Sequence, residues 1–347
     1  CGRICENAHL PALSQLDNVR IKYACDIIEE KAQKMKERFP KIENVITDYN
    51  VALNDPEVDA VWVLTPNYAH YTVTMDALRS GKNVLCEKPI TINYPLSVEM
   101  AEEAKKQGKI LNIGVCNRYN KSVEMLRQLV EEGKFGKIYH VYCSFRECRS
   151  IPGLGGPFTT KSQSGGGALI DWGVHFLDLV MYCCGDPKPL TVSGEAFCKL
   201  GKDMKNYVYT SMWAEETSDV EHGTYDVDDS VVGIVRTSGP VISFNGAWAQ
   251  NVGVGEMYVD FMGDKAGIRL QYCSDFKLWS VKDGMLTETK VATKTNDMYE
   301  NEIAGFIKSI KTGEHNQQYI DYAVETSKIM QAVYDSTDAH REIIIEK

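Results

Sequence analysis

The chain has no long apolar run, no basic tract and no paired-cysteine motif, and each absence removes a class of function. A membrane helix needs ~20 apolar residues, whereas the longest runs here, such as 60–64 and 343–345, are far shorter. No cluster of Lys or Arg provides a footprint for phosphate backbones or anionic lipid, and 38 Lys+Arg against 48 Asp+Glu leave a formal charge of −10. Neither nucleic acid nor membrane is expected as a partner. Internal repeats and low-complexity tracts are lacking too. Cysteine is plentiful at eleven residues, yet no CxxC pair occurs and no cysteines cluster with histidines, so a zinc site is not expected. Most of the thiols sit in apolar runs, as in Val84-Leu85-Cys86 and Gly114-Val115-Cys116, where they act as small core hydrophobes. Unpaired thiols without a secretion signal predict a reducing, cytoplasmic setting.

What is present reads as two globular domains. The 347 residues are 44% hydrophobic and 25% charged, enough for two cores at roughly 100–200 residues per domain. Cys1-Gly2-Arg3-Ile4-Cys5 is a glycine turn running into a helix. Such a turn normally follows a strand, so a first strand and a glycine are expected ahead of Cys1, with Cys5 in the place of a fingerprint's third glycine. Extended runs at 19–24, 45–47, 58–65, 83–86 and 110–115 alternate with helical patterns at 29–39, 68–80 and 96–107. That alternation predicts a doubly wound parallel sheet, a Rossmann nucleotide-binding domain over residues 1–118. From 119 to 347 the pattern changes to helices at 123–132 and 168–183 and strands at 138–146, 231–236, 241–247 and 257–262, before closing helices at 299–311 and 319–338. This is an α+β domain on a large, mostly antiparallel, open-faced sheet. Residues 201–229 read as a long loop serving as a lid.

Four groups of residues carry chemistry. Asp26 follows the strand at 19–24, where an acid accepts the adenosine ribose hydroxyls and repels a 2′-phosphate, selecting NAD, although a turn aspartate after a strand is common in any fold. Thr65-Pro66-Asn67-Tyr68-Ala69-His70 and Glu87-Lys88-Pro89 each follow a buried strand, at the edge where open α/β sheets hold ligands. Lys88 stands there to touch both cofactor and substrate. Alone, Glu87-Lys88 fits a surface ion pair better. Finally, Gly165-Gly166-Gly167 precedes Asp171, His175 and Asp178, spaced to share one helical face. A histidine beside a carboxylate makes a tunable general base, although the same spacing also suits a core histidine satisfied by an acid one turn away. The glycines suggest close approach of the backbone to a ligand.

Taken together, Gly2-Arg3-Ile4 with His9, Thr65-Pro66-Asn67 with His70, Glu87-Lys88-Pro89, the segment Gly165 to Asp178 and Gly263-Asp264-Lys265-Ala266-Gly267 resemble the glucose–fructose oxidoreductase/inositol dehydrogenase (Gfo/Idh/MocA) family along essentially the whole chain. The resemblance implies an NAD-dependent sugar, glycoside or cyclitol dehydrogenase that needs no metal. It implies Lys88, Asp171 and His175 as the catalytic group. Gly2, Arg3, Ile4, Asp26, Thr65, Pro66, Asn67, His70, Glu87 and Lys88 would hold the cofactor. Arg118, Tyr119, Arg149 and Trp172 are expected to flank the substrate, and the stretch from Phe145 to Gly153 resembles members that oxidise sugars or glycosides at C3. The family also admits redox-neutral glycoside cleavage or epimerisation with retained NAD, and a non-catalytic NAD-binding regulator. A sheet with helices on one face predicts a homo-oligomer, dimer or tetramer.

Overall fold

The structure, a computed structural model, describes residues 1–253, 255–294 and 296–345. The apolar, β-branched runs form parallel strands in two groups: β1 (Ile21–Cys25) pairs with β2 (Ile42–Ile46), and β3 (Ala60–Val63), β4 (Asn83–Glu87) and β5 (Leu111–Gly114) form a second sheet. Edges β1 and β3 do not bond to each other, and both line one cavity. Around the strands lie α1 (Leu10–Ser14), α2 (Glu29–Arg38), α3 (Asn50–Leu53), α4 (His70–Arg79) and α5 (Tyr94–Gln107). Local sequence sets their ends. Asn93 caps α5 by accepting the Leu96 amide, and the helix stops at Gly108 in the left-handed conformation that glycine adopts at least cost.

The second half builds a nine-stranded sheet from β6 (Ile138–Arg146), β7 (Pro189–Phe197), β8 (Ser230–Thr237), β9 (Val241–Ala247), β10 (Glu256–Gly263), β11 (Ala266–Gln271), β12 (Phe276–Lys282), β13 (Met285–Val291) and β14 (Ile343–Ile344). The spatial order is β13-β12-β11-β10-β6-β9-β8-β7-β14, antiparallel throughout except for β6 against β9. Alternation along the strands sends Val141, Cys143, Phe145, Ile242, Phe244, Val259 and Phe261 to one face. There they form the main core with α6 (Lys121–Glu131), α8 (Val174–Cys184) and α10 (Gln318–Ala339). A short α7 (Lys161–Ser164) precedes α8. Lys161–Cys184 is apolar and long enough to cross a membrane, but most of it is buried inside this core.

Two features exceed what the sequence pattern conveys. The closing helices return to the first half of the chain. From α9 (Met298–Thr312), Ile303 and Phe306 pack on Leu13 and Leu85, and from α10, Ile320 and Ala323 join the core around β4 and β5. The lid, in turn, is a packed body rather than a bare loop. Tyr207, Tyr225 and Val227 share an apolar cluster with Ile151, Leu154 and the fully buried Trp248. All eleven thiols are free; five are buried and six half-buried.

Candidate active site

β4 delivers Lys88 to its carboxyl end, beside a cis Lys88–Pro89 bond. The Lys88 ammonium donates to Asp171 Oδ1 at 3.0 Å and to the Asp171 carbonyl at 3.1 Å. The Trp248 indole N–H donates to the other carboxylate oxygen, Oδ2, at 3.2 Å. Both Lys88 and Asp171 are mostly withdrawn from solvent, so the pair attracts more strongly than a surface pair would.

His175 lies in the same cleft, but the carboxylate partner expected from its spacing is not formed. Leu169–Gly173 is a π-helical turn. Both oxygens of the Asp171 carboxylate are taken up by Lys88 and Trp248 rather than by His175. His175 Nδ1 is buried without a hydrogen-bond partner among the described residues. Burial, reinforced by the Lys88 cation, holds its pKa well below the ordinary 6.5. The imidazole is therefore neutral at pH 7, with a ring edge against Tyr272. Asp178, the second acid of the stripe, is committed elsewhere, to Arg118.

Glu87 is also bonded within the protein. One oxygen meets His9 Nε2 at 2.8 Å and the other accepts the Lys88 amide at 3.0 Å, so the carboxylate braces the turn that carries Lys88. Burial, and secondarily the Glu87 charge, raise the carboxyl of the nearby Glu302 well above 4.5. His70 is buried, with Nδ1 2.7 Å from the Pro89 carbonyl and Nε2 3.0 Å from that of Thr65, tying two ligand-edge turns together. Asn67 donates across to the Ser164 carbonyl at 2.9 Å, joining the turn after β3 to the glycine segment.

The cleft is a cavity of about 2230 Å³ whose walls include Gly2, Arg3, Ile4, Asp26, Thr65, Pro66, Asn67, His70, Glu87, Lys88, Asp171, Trp172 and His175. The structure thus gathers every residue expected around cofactor and chemistry. Three of the four expected substrate contacts do not line it. Arg118 is buried in a two-bond pair with Asp178, Nε to Oδ1 at 2.7 Å and Nη2 to Oδ2 at 2.5 Å. Tyr119 packs edge-on against Tyr319 beside a separate cavity of about 750 Å³. Arg149, at a left-handed φ of 56°, reaches Asn251 at 2.6 Å. Trp172 does line the cleft.

The glycines also have a different reason from the one expected. A Cβ on Gly167 would stand 1.8 Å from the Asp228 carbonyl, and one on Gly166 would stand 2.0 Å from the Tyr334 hydroxyl. They admit protein, not ligand. Missed by sequence reasoning were Trp248, Tyr272, Met257 and Trp213, which come from remote strands and the lid; no local motif marks them. Trp213 accepts a bond from Arg3 through its carbonyl, and Glu216 takes a second Arg3 nitrogen at 2.5 Å, so the lid reaches the glycine turn.

Comparison with known proteins agrees with this architecture. Residues 1–115 match the family described as oxidoreductase family, NAD-binding Rossmann fold, and residues 123–269 match the GFO/IDH/MocA C-terminal domain. The chain is 32% identical over 272 residues to D-glucoside 3-dehydrogenase of Escherichia coli strain K12, covering 78% of this chain and 74% of that protein. It is 23% identical to scyllo-inositol 2-dehydrogenase (NADP(+)) IolW of Bacillus subtilis, over 97% of this chain and 92% of that one. Its fold is similar to that of levoglucosan dehydrogenase solved with NADH and levoglucosan, with a TM-score of 0.85, 19% identity, and coverage of 100% of this chain and 97% of that one. By both matched regions and by its likeness to the glucoside dehydrogenase, the chain belongs to the Gfo/Idh/MocA family of oxidoreductases.

Proposed function

We propose that the protein is an NAD-dependent dehydrogenase of a secondary alcohol on a sugar, glycoside or cyclitol, working without a metal. The observation that carries this is the Lys88 ammonium, fixed 3.0 Å from Asp171, in one cleft with the neutral imidazole of His175, whose buried Nδ1 has no hydrogen-bond partner among the described residues. The cleft suits a dinucleotide. Gly2 leaves open space beside its Cα, Asp26 stands at the end of β1, and the buried Thr65 Oγ1 and His9 Nδ1 lack partners among the described residues. A bound nicotinamide supplies the two-electron acceptor for the carbinol hydride.

The chain's own groups manage the proton and the charge. His175 accepts the hydroxyl proton as the substrate is oxidised to a ketone, and Lys88 donates a hydrogen bond to the same oxygen, stabilising developing alkoxide charge. Asp171 holds Lys88 in place. The carboxylate of Asp26 favours NAD by binding ribose hydroxyls and repelling a 2′-phosphate. Support for the substrate class comes from the glucoside and inositol dehydrogenases among the relatives.

Incubating the protein with NAD and a panel of glucosides and inositols, and following NADH absorbance, tests the reading. Net NADH with a secondary alcohol is expected; glycoside turnover without net NADH, or no reaction with any member, overturns it. We also propose a homo-oligomer. The sheet face opposite the main core carries Tyr142 against Tyr258, Arg269 paired with Asp260, and the exposed Val232 and Ile234, a mixed surface suited to a second copy. Light scattering that shows a monomer at micromolar concentration would refute this.

A further inference from the structure

Trp248 follows β9 and is the only tryptophan buried completely among the described residues. Its backbone is held on both sides: its amide donates to the Asp229 carbonyl at 2.9 Å, and its carbonyl accepts the Ser150 amide at 2.7 Å. The ring sits in the lid's apolar cluster with Ile151, Leu154, Tyr207 and Tyr225. Within that cluster its one polar atom, Nε1, points out of the apolar packing to Asp171 Oδ2. A buried indole N–H without a partner is costly, so the ring's packing and the carboxylate's orientation are coupled. The opposite oxygen is then left facing Lys88. Asp171 is thus gripped from two sides, by a lysine on the nucleotide-binding half and an indole rooted in the lid core.

We propose that Trp248 is a positioning residue: its indole N–H locks the Asp171 carboxylate so that Oδ1 holds the Lys88 ammonium over the cleft. The inference rests on the reading of Lys88, Asp171 and His175 as the working group. Trp248→Phe keeps an apolar ring but removes the N–H. Loss of one hydrogen bond to a charged acceptor predicts a fall in kcat of about tenfold. The sugar KM and NADH affinity should stay within about twofold, because the ring touches neither ligand in this assignment.

A double-mutant cycle separates positioning from packing. In an Asp171→Ala background, Trp248→Phe should cost no further activity. An equal loss in both backgrounds, or an unchanged kcat in the single variant, overturns the proposal. Should Trp248→Phe not fold, hydrogen exchange at the indole nitrogens of 15N-labelled protein decides instead. The slowest-exchanging indole should lose protection in Asp171→Ala, and unaltered protection refutes the clamp. That exchange readout needs no turnover. Wild-type protein that oxidises no sugar would strike the dehydrogenase reading, while exchange would still decide the role of Trp248.

Discussion

Arg118 separates two accounts of this protein, because its sequence neighbourhood points to a substrate contact and the structure buries it. Its side chain is 2% exposed and that of Asp178 is 0%. Two parallel hydrogen bonds join them, a third runs from Nη1 to the Tyr319 carbonyl at 2.7 Å, and the guanidinium lies 5.5 Å from the ring centres of Tyr319 and Tyr322. Arg118→Met keeps the aliphatic stem and leaves the Asp178 carboxylate without its counter-charge. Breaking one side of a buried pair costs about 3–5 kcal/mol, mostly as an uncompensated charge. With urea slopes of roughly 1–3 kcal/mol per molar, the unfolding midpoint should drop by on the order of 1 M or more. Arg118→Met/Asp178→Leu, which removes both charges, should regain much of that loss. The assay is urea unfolding followed by circular dichroism, paired with sugar KM under folded conditions, where little change is expected. An unmoved midpoint together with a raised KM would refute the structural role and restore Arg118 to the substrate.

The remaining predictions concern the cleft and its supports. His175 is held neutral in the folded protein with a pKa well below 6.5, so the acid limb of kcat/KM should fall below pH 6.5. The same depressed pKa makes its contribution to stability complete above 6.5 and lost as pH drops toward the folded value, because only the unfolded chain takes up the proton in that window. His175→Asn should remove that part of the pH dependence of unfolding. Lys88→Ala should lower kcat by about 10²–10³-fold, the range for loss of one charge-stabilising donor, with NADH still bound by fluorescence titration; a loss below about fivefold would contradict its role. Gly167→Ala would place a methyl 1.8 Å from the Asp228 carbonyl, so strong destabilisation, read as a lowered midpoint or loss of soluble protein, is expected even though the substitution is the smallest available.

Much of the parallel half is legible because its signals are local. Short β-branched runs, helix caps such as Asn93 and the spacing of turns need no distant partner, and the observed β1 to β5 fall within the expected extended runs or begin within a few residues of them. Glu87-Lys88-Pro89 and Asp26 are likewise readable, since a ligand-edge turn is defined by the strand before it. The pairing of Asp171 with His175 is not. Spacing along one helix cannot register Lys88 and Trp248, the remote partners that take both oxygens of the Asp171 carboxylate.

The sequence by itself determined the alternating strands and helices of the first half, the mostly antiparallel sheet of the second and the residue types at the cleft, because periodicity, caps and turn chemistry act over a few residues. Only the tertiary structure decided who meets whom. Lys88 found Asp171 from 83 residues away and Trp248 found it from 77, while Arg118 was drawn into the core by Asp178 and the three glycines were committed to protein neighbours. Burial explains the difference: once water is excluded, most charges and N–H groups take a partner wherever the packed chain supplies one.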